Sequence, residues 1–313
     1  PNDRGAASQG TSYRTSFLNE NILNYTKSFG TQQRLDLTGG FTFQNDLNRF
    51  SNIGVSGFSN NNTANFNLGV AETINPPSSG ISRWAMSSWL ARANYSLADK
   101  YLFTASIRAD GSSRFGENNK WAAFPSGAVA WRASNEPFLQ DIEAINDLKV
   151  RASVGMTGNT ALSPYQSLDR ISPVRSIYGN STEIIGYVPT GIANPALRWE
   201  TTTQADVGVD VTLWNNRVTV TADYFNKRTT DLLASVPLPP SIGFGTMLQN
   251  IGEIRNQGFE FDVSSNILTK ELKWNAAVRL STNRSKIISL AGGNDIFSSS
   301  LDLFRSSMNI ARE

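Results

Sequence analysis

The sequence predicts an all-β chain, the wall of an antiparallel up-and-down transmembrane β-barrel with about ten strands by its alternation pattern. Three observations predict it. Long segments alternate apolar and polar residues with period two, so each strand has one greasy and one hydrated face. The links between strands alternate between tight turns and long polar loops, the pattern of barrels with short turns on one rim and elaborate loops on the other. Composition agrees. The 313 residues carry 17% charged and 39% hydrophobic side chains, with mean hydropathy −0.29 and net charge +2. A soluble domain typically carries roughly 25% charge. A helical membrane protein needs apolar runs of about 18 residues, which this sequence lacks.

In chain order, Thr11–Tyr25 is a first, less regular strand. Arg34–Phe43 is clear, with Leu35, Leu37, Phe41 and Phe43 opposing Arg34, Asp36, Thr38 and Thr42. Trp89–Leu97 follows. Tyr101–Asp110 is nearly unbroken, with Tyr101, Phe103, Ala105, Ile107 and Ala109 on one face and Thr104, Ser106, Arg108 and Asp110 on the other. Ala122–Ser134 is less regular. Leu148–Thr157, Asp206–Leu213, Arg217–Tyr224, Phe259–Ser264 and Trp274–Ser281 complete the set. Several segments approach the length of about 9–11 residues that a tilted strand needs to cross a membrane.

The short links are Ser28–Gly30, Ala98–Asp99, Asn215–Asn216 and Leu268–Glu271, of which Asn215–Asn216 predicts a two-residue hairpin turn. The long links, rich in Gly, Asn, Ser and Pro, are Asp46–Gly80, Gly111–Lys120, Gly158–Leu197 and Leu232–Ile251. Between Ser134 and Asp147 the link falls on the short-turn side, yet its Asn135–Glu136–Pro137 start predicts a small helix over Glu136–Ile145.

Trp89, Tyr95, Tyr101, Trp131, Tyr224 and Trp274 lie on the greasy faces, often near strand ends. They suit the interfacial girdles of a membrane barrel or the core of a soluble sandwich. The opposite faces carry Arg92, Arg108, Asp110, Arg151, Asp206, Asp210, Asp223, Glu260, Asp262 and Arg279, and Arg114 lies in the adjoining loop. These eleven are the candidate lumen-facing residues. The even spacing of Asp206/Asp210 and Glu260/Asp262 also admits a glycosidase-like carboxylate pair, but lumen-facing charge accounts for it more simply. Arg108, Asp110, Arg114, Glu117 and Lys120 around one loop fit either a ligand contact or a salt-bridge network bracing adjacent strands. Phe58, Phe66, Tyr165, Tyr178, Tyr187 and Phe244 are loop aromatics suited to stacking on a sugar or to packing their own loops. With no His and no Cys, His-dependent triads, thiolate chemistry, zinc sites and disulfides are excluded within the chain. No catalytic group, metal site or cofactor is expected, and the charge balance gives no nucleic-acid footprint.

From Lys100 the residues take on a resemblance. Lys100–Gly116 reads KYLFTASIRADGSSRFG. Asn119-Lys120-Trp121, Phe124-Pro125-Ser126 and Ala130-Trp131-Arg132 follow, then Asp147–Arg151 with Gly155–Asn159. Asn194-Pro195 with Arg198–Thr202, Asp223–Lys227 with Thr230–Leu233, Asn250–Gly252 with Asn256–Glu260, and Trp274 with Asn283–Ile287 complete the order. Across about Arg83 to Leu290 the chain resembles SusC/RagA-type TonB-dependent outer-membrane transporters.

That resemblance implies a plugged barrel of about 22 strands in the outer membrane of a Gram-negative bacterium of the Bacteroidota. Residues 1–313 are then part of a single barrel domain, about half its circumference. The plug, the N-terminal extension and the barrel C-terminus are expected to lie outside the chain. The implied activity is import of oligomeric nutrients, glycans first and peptides second, with no enzymatic step. The implied partners are a SusD-like surface lipoprotein as lid, the TonB–ExbB–ExbD complex through the N-terminal part, and outer-membrane lipid. Two alternatives remain open: a soluble or surface-attached all-β carbohydrate-binding protein or adhesin, and a passive porin. The soluble reading requires Phe103, Ile107, Val209, Val211 and Val220 to be buried between two sheets.

Overall fold

The computed structural model describes residues 5–59, 66–179, 182–269, 271–289, 296–302 and 305–311. In chain order the strands are β1 (Ala6–Phe29), β2 (Gln33–Ser56), β3 (Thr73–Ile74), β4 (Ser78–Leu97), β5 (Tyr101–Ser112), β6 (Trp121–Arg132) and β7 (Ile145–Asn159). They continue with β8 (Arg170–Tyr178), β9 (Thr182–Gly191), β10 (Glu200–Leu213), β11 (Val218–Thr230), β12 (Leu233–Pro237) and β13 (Thr246–Asn250). The last are β14 (Glu253–Thr269), β15 (Lys273–Ser289), β16 (Ile296–Asp302) and β17 (Arg305–Ala311). One short helix, α1 (Pro137–Gln140), precedes β7.

β1, β2, β4, β5, β6, β7, β10, β11, β14 and β15 hydrogen-bond in that order into one sheet, with β3 paired to β2. This is the up-and-down order, since neighbours in the sheet are neighbours in sequence once the small hairpins are set aside. Pairs β8–β9, β12–β13 and β16–β17 each form a separate two-stranded ladder. Each of the ten predicted strands maps onto one of the ten of the main sheet, Ala122–Ser134 overrunning β6 by two residues and Arg217–Tyr224 preceding β11 by one. The expected long links after β7 and β11 carry β8–β9 and β12–β13.

Three local expectations are corrected. Strand β2 runs ten residues past Asp46, where Asn48, Arg49, Ser51 and Asn52 hide the apolar alternation, so the following loop is shorter than expected. That loop includes residues 60–65, and the turn at Leu268–Glu271 includes residue 270, both outside the described residues. The helix over Glu136–Ile145 is reduced to four residues, because Ala144 is drawn into pairing: its carbonyl accepts from Trp214 N at 2.9 Å. The Asn215–Asn216 turn widens to Trp214–Arg217. Trp214, Asn215 and Asn216 all take positive φ (52°, 57° and 62°), and Arg217 N donates to Leu213 O at 3.0 Å. Ala98–Asp99 remains a two-residue turn with φ of 52° and 55°, the primed geometry that matches strand twist.

The chain divides into two compact units. The first, Pro1–Glu20 with Thr42–Ser87, buries Val55 and Phe58 and ties β1 to β2 through Arg14 Nε and Asp46 Oδ2 at 2.7 Å. The second, Asn21–Phe41 with Ser88–Glu313, holds every candidate site residue.

In the second unit the usual polarity of a protein is reversed. Along β5 the apolar residues are the exposed ones: Phe103 is 45% and Ile107 50% exposed, whereas Asp110 on the other face is 8% exposed. Register carries the apolar face from strand to strand. Phe103, Val129, Ala152, Val207, Tyr224 and Phe259 form one row across β5, β6, β7, β10, β11 and β14. Tyr101, Trp131, Val150, Val209, Ala222, Phe261 and Leu280 form the next. Val209, Val211 and Val220 are half-buried, and none of the five residues required by a sandwich is buried.

Trp131 and Trp121 stand on this apolar face ten positions apart on β6. At about 3.3 Å per residue and a tilt of roughly 40°, that is ~25 Å along a membrane normal, the height of a barrel's apolar band. Trp121 escaped the sequence reading as a girdle residue. Its ring lies over Gly111, directly opposite on β5, where an ideal Cβ would come within 2.6 Å of the indole.

Candidate functional site

The face opposite the apolar one holds most of the predicted charges, and alternation alone put them there. Arg92 shares it by parity with Ser88 and Asn94 and is exposed. Arg108 Nε donates to Asp110 at 2.7 Å, and its Nη2 donates to Ser88 Oγ at 3.0 Å. Arg151 binds Asp210 at 3.1 Å and Asp223 at 2.7 Å, while Thr221 Oγ1 donates to Asp210 at 3.1 Å. Asp206 accepts from Gln204 at 2.8 Å and from Ser153 at 3.3 Å. Asp262 pairs with Arg279 at 2.5 Å. Glu260 is exposed and stands directly opposite Asp223, a like-charge placement that disfavours pairing unless a cation lies near. Arg151, two strands from Asp223 and three from Glu260, pairs with Asp223.

Two hollows open on this face. One of about 360 Å³ is lined by Thr104, Ala128, Lys149, Arg151, Ser153 and Asp206. The other, about 320 Å³, is lined by Asp223, Glu260, Asp262, Arg279 and Ser281 among others. Asp206, Asp223 and Asp262 are partnered by cations, an amide or a hydroxyl, while Glu260 faces Asp223. Such an arrangement suits a hydrated wall.

Arg114 lies in the connection after β5, which ends at Ser112, as the sequence places it. Its Nη1 donates to the carbonyls of Thr160 (3.3 Å) and Leu162 (3.0 Å), and its own carbonyl accepts from Ser167 Oγ at 2.9 Å. The charged loop is therefore braced by arginine–backbone bonds as well as by the Arg108–Asp110 ion pair.

Around Arg114 three long connections are fastened together. Phe115, Phe124, Leu162, Leu197 and Trp199 are buried, with Leu197 at 0% and Trp199 at 5% exposure. Trp199 packs against Phe115 and Phe124 at ring-centroid distances of 5.0 and 5.5 Å, and its Nε1 donates to Lys120 O at 3.0 Å. Asn119 Nδ2 donates to Pro195 O at 3.2 Å, and Asn194 Nδ2 to Leu248 O at 2.8 Å. Arg198 pairs with Asp231 at 2.6 Å, which raises the guanidinium pKa, and Asn250 Nδ2 reaches the carbonyls of Arg198 (2.7 Å) and Asp231 (2.8 Å). The motifs around Arg114, Asn194-Pro195, Arg198-Trp199 and Asn250 are thus the parts that lock the loop side of the wall. From this block rise β8–β9 and β12–β13. Among the loop aromatics, Phe58 is buried, Phe244 is half-buried, and Phe66, Tyr165 and Tyr187 are exposed; the Tyr178 side chain lies outside the described residues.

On the turn side, Glu136 closes the β6–β7 connection. It accepts from Lys100 Nζ at 2.9 Å, Tyr101 Oη at 2.7 Å and Trp131 Nε1 at 3.3 Å. Those donors, Lys100 first, lower its pKa to about 2.

An antiparallel meander with one face apolar and exposed and its charges gathered on the other is the wall of a membrane-spanning β-barrel, where lipid replaces water as the outer solvent. The model of the TonB dependent receptor-like β-barrel matches residues 2–300, and the chain belongs to that family, whose SusC/RagA-type members are outer-membrane proteins of Gram-negative bacteria. The chain is 42% identical over 284 residues to TonB-dependent receptor P3 of Formosa agariphila, covering 90% of this chain and 28% of that protein. It is 36% identical over 219 residues to TonB-dependent receptor SusC of Bacteroides thetaiotaomicron, covering 68% and 22% respectively. Among solved structures, the RagAB peptide transporter superposes with a TM-score of 0.83 at 25% identity, over 92% of this chain and 32% of its own. The chain therefore spans about a quarter to a third of the length of such relatives.

Proposed function

We propose that this chain forms part of the wall of an active importer that carries oligomeric nutrients across the outer membrane, energised through TonB. Glycans are the leading cargo and peptides the alternative. The observation that carries the reading is the reversed sheet: its outer face suits lipid, and its charged inner face, bearing ten of the eleven sequence-selected residues, suits a hydrated lumen. The fastened loop block supports it by giving a fixed base to hairpins that would meet cargo or a lid. The family supports coupling to TonB, and resemblance to SusC/RagA-type members supports a SusD-like surface lipoprotein as that lid. Likeness to a structure described as a peptide transporter favours the peptide alternative.

The test is uptake by the intact receptor in cells supplied with labelled oligosaccharides or oligopeptides. TonB-dependent accumulation of one class supports the proposal, and undiminished uptake without TonB overturns the energised mechanism in favour of a passive pore. A neighbouring lipoprotein gene beside glycoside hydrolases or beside peptidases would choose the cargo.

A further inference from the structure

We infer that the loop-side end of β11, β14 and β15 carries, on the apolar outer face, a binding site for the phosphate groups of a membrane lipid. Arg228, Arg255 and Lys286 stand directly opposite one another across three adjacent strands. Arg284, two positions before Lys286, is opposite Gln257 on the same face. By even spacing these cations share the face of Tyr224, Phe259 and Leu280. Like charges directly opposite repel, yet among the described residues Glu253 is the one carboxylate that pairs in this cluster, holding Arg228 at 2.5 and 2.7 Å. Arg255 Nε donates to Asn226 Oδ1 at 3.0 Å, and Arg255, Arg284 and Lys286 are all exposed. Among the described residues, four cations and one carboxylate leave three positive charges on this face, and the rows beyond Arg284 toward the turn side carry Tyr224, Phe259 and Leu280.

Depth identifies the occupant. Trp274 and Arg284 lie on one face of β15, ten positions apart. At about 3.3 Å per residue and roughly 40° of tilt, Arg284 sits ~25 Å along the normal from Trp274, at the far boundary of the apolar band. The cluster is therefore at headgroup level in the leaflet beneath the long loops. Guanidinium groups bind phosphate bidentately, and a row of them matches a lipid bearing phosphomonoesters on a sugar headgroup. The inference rests on the outer face meeting lipid and is independent of the cargo.

The test uses the full-length receptor in detergent, with native mass spectrometry counting bound lipid. The probes are bisphosphorylated lipid A, the same lipid dephosphorylated, and inorganic phosphate. The expected result is retention of the bisphosphorylated lipid about tenfold more tightly than the dephosphorylated one, weakening as salt rises and screens the charges. R255Q/R284Q/K286Q should lose about tenfold in retention, and K273Q at the opposite end of β15 should not. If the triple variant fails to fold, R284Q alone supplies the readout. Equal retention of both lipids, wild-type retention by the variants, or equal competition by inorganic phosphate overturns the proposal. Failure of the wild type to insert into lipid vesicles would instead overturn the lipid-facing assignment of the face.

Discussion

Arg151 on β7 reaches Asp223 on β11, at 2.7 Å from Nη2 to Oδ2, across the intervening strand β10. The contact passes over Gly208, which stands in register between them. A Cβ at 208 would fall on Asp223 Oδ1 and lie 2.7 Å from Arg151 Cζ. The absence of a side chain is thus what permits one guanidinium to bind carboxylates on two strands, Asp210 and Asp223.

Gly208→Ala should therefore destabilise the full-length receptor by about 1–3 kcal/mol, the usual cost of overpacking. Urea unfolding in lipid vesicles measures it. In a double-mutant cycle with Asp223→Asn the two losses should fall short of additive, since either change removes the same contact. Wild-type stability of Gly208→Ala, or full additivity, would remove the glycine from this role.

Tyr101–Asp110 was readable because exposure follows alternation there, with Phe103 and Ile107 on one face and Asp110 on the other. Beyond Asp46 on β2 the strand continues with Leu47, Phe50, Ile53 and Val55 divided between the two faces among Asn and Ser, so period two loses its hydrophobic signal. The Arg108–Asp110 pair was visible as neighbours two apart on a strand. Gly208 was not, because its meaning depends on registers with β7 and β11 that no local pattern encodes. The partners of Arg114 were hidden for a related reason: they are backbone carbonyls at 160 and 162, which sequence does not distinguish. Trp121 carried a usable signal, a tryptophan ten positions from Trp131 with the same parity.

Trp199 holds the loop block, so Trp199→Ala should cost about 3–5 kcal/mol of local stability, as deletion of a buried aromatic usually does. The loss should appear as protease cleavage within residues 160–197 of the receptor in intact cells, while the barrel stays folded on unheated gels. Trp199→Phe should cost only about 1 kcal/mol, because Lys120 O still accepts from Ser112 N at 2.9 Å. Unchanged proteolysis of Trp199→Ala would show that the loops are held independently of it.

Glu136 makes the turn rim sensitive to acid. Its folded pKa, about 2, lies below the ordinary 4.5, so the charged form is the one the fold favours. The stabilisation is complete above about 4.5 and is lost as pH falls from there toward about 2. Hydrogen exchange of the β6–β7 connection should accelerate across that window in the wild type. In Glu136→Gln it should already be faster at neutral pH and change little on acidification through the same window. Identical profiles for the two proteins would exclude the Lys100–Glu136 pair as the cause.

Val207 offers the sharpest test of which solvent the apolar face meets. It is 54% exposed and sits mid-row between Ala152 and Tyr224. On a water-facing strand, Val207→Arg would change stability by no more than about 0.5 kcal/mol. Facing the bilayer midplane, the same substitution should cost about 2–4 kcal/mol. Ser281→Arg places the same side chain on the opposite face, in register with Glu260, and should be neutral or slightly stabilising. Urea midpoints of the two variants in lipid vesicles, beside the wild type, decide the matter. A large loss for Val207→Arg with none for Ser281→Arg fits only a sheet whose oily side is its outside. Equal midpoints for all three proteins would mean that the face meets water, and the membrane assignment would fall with it.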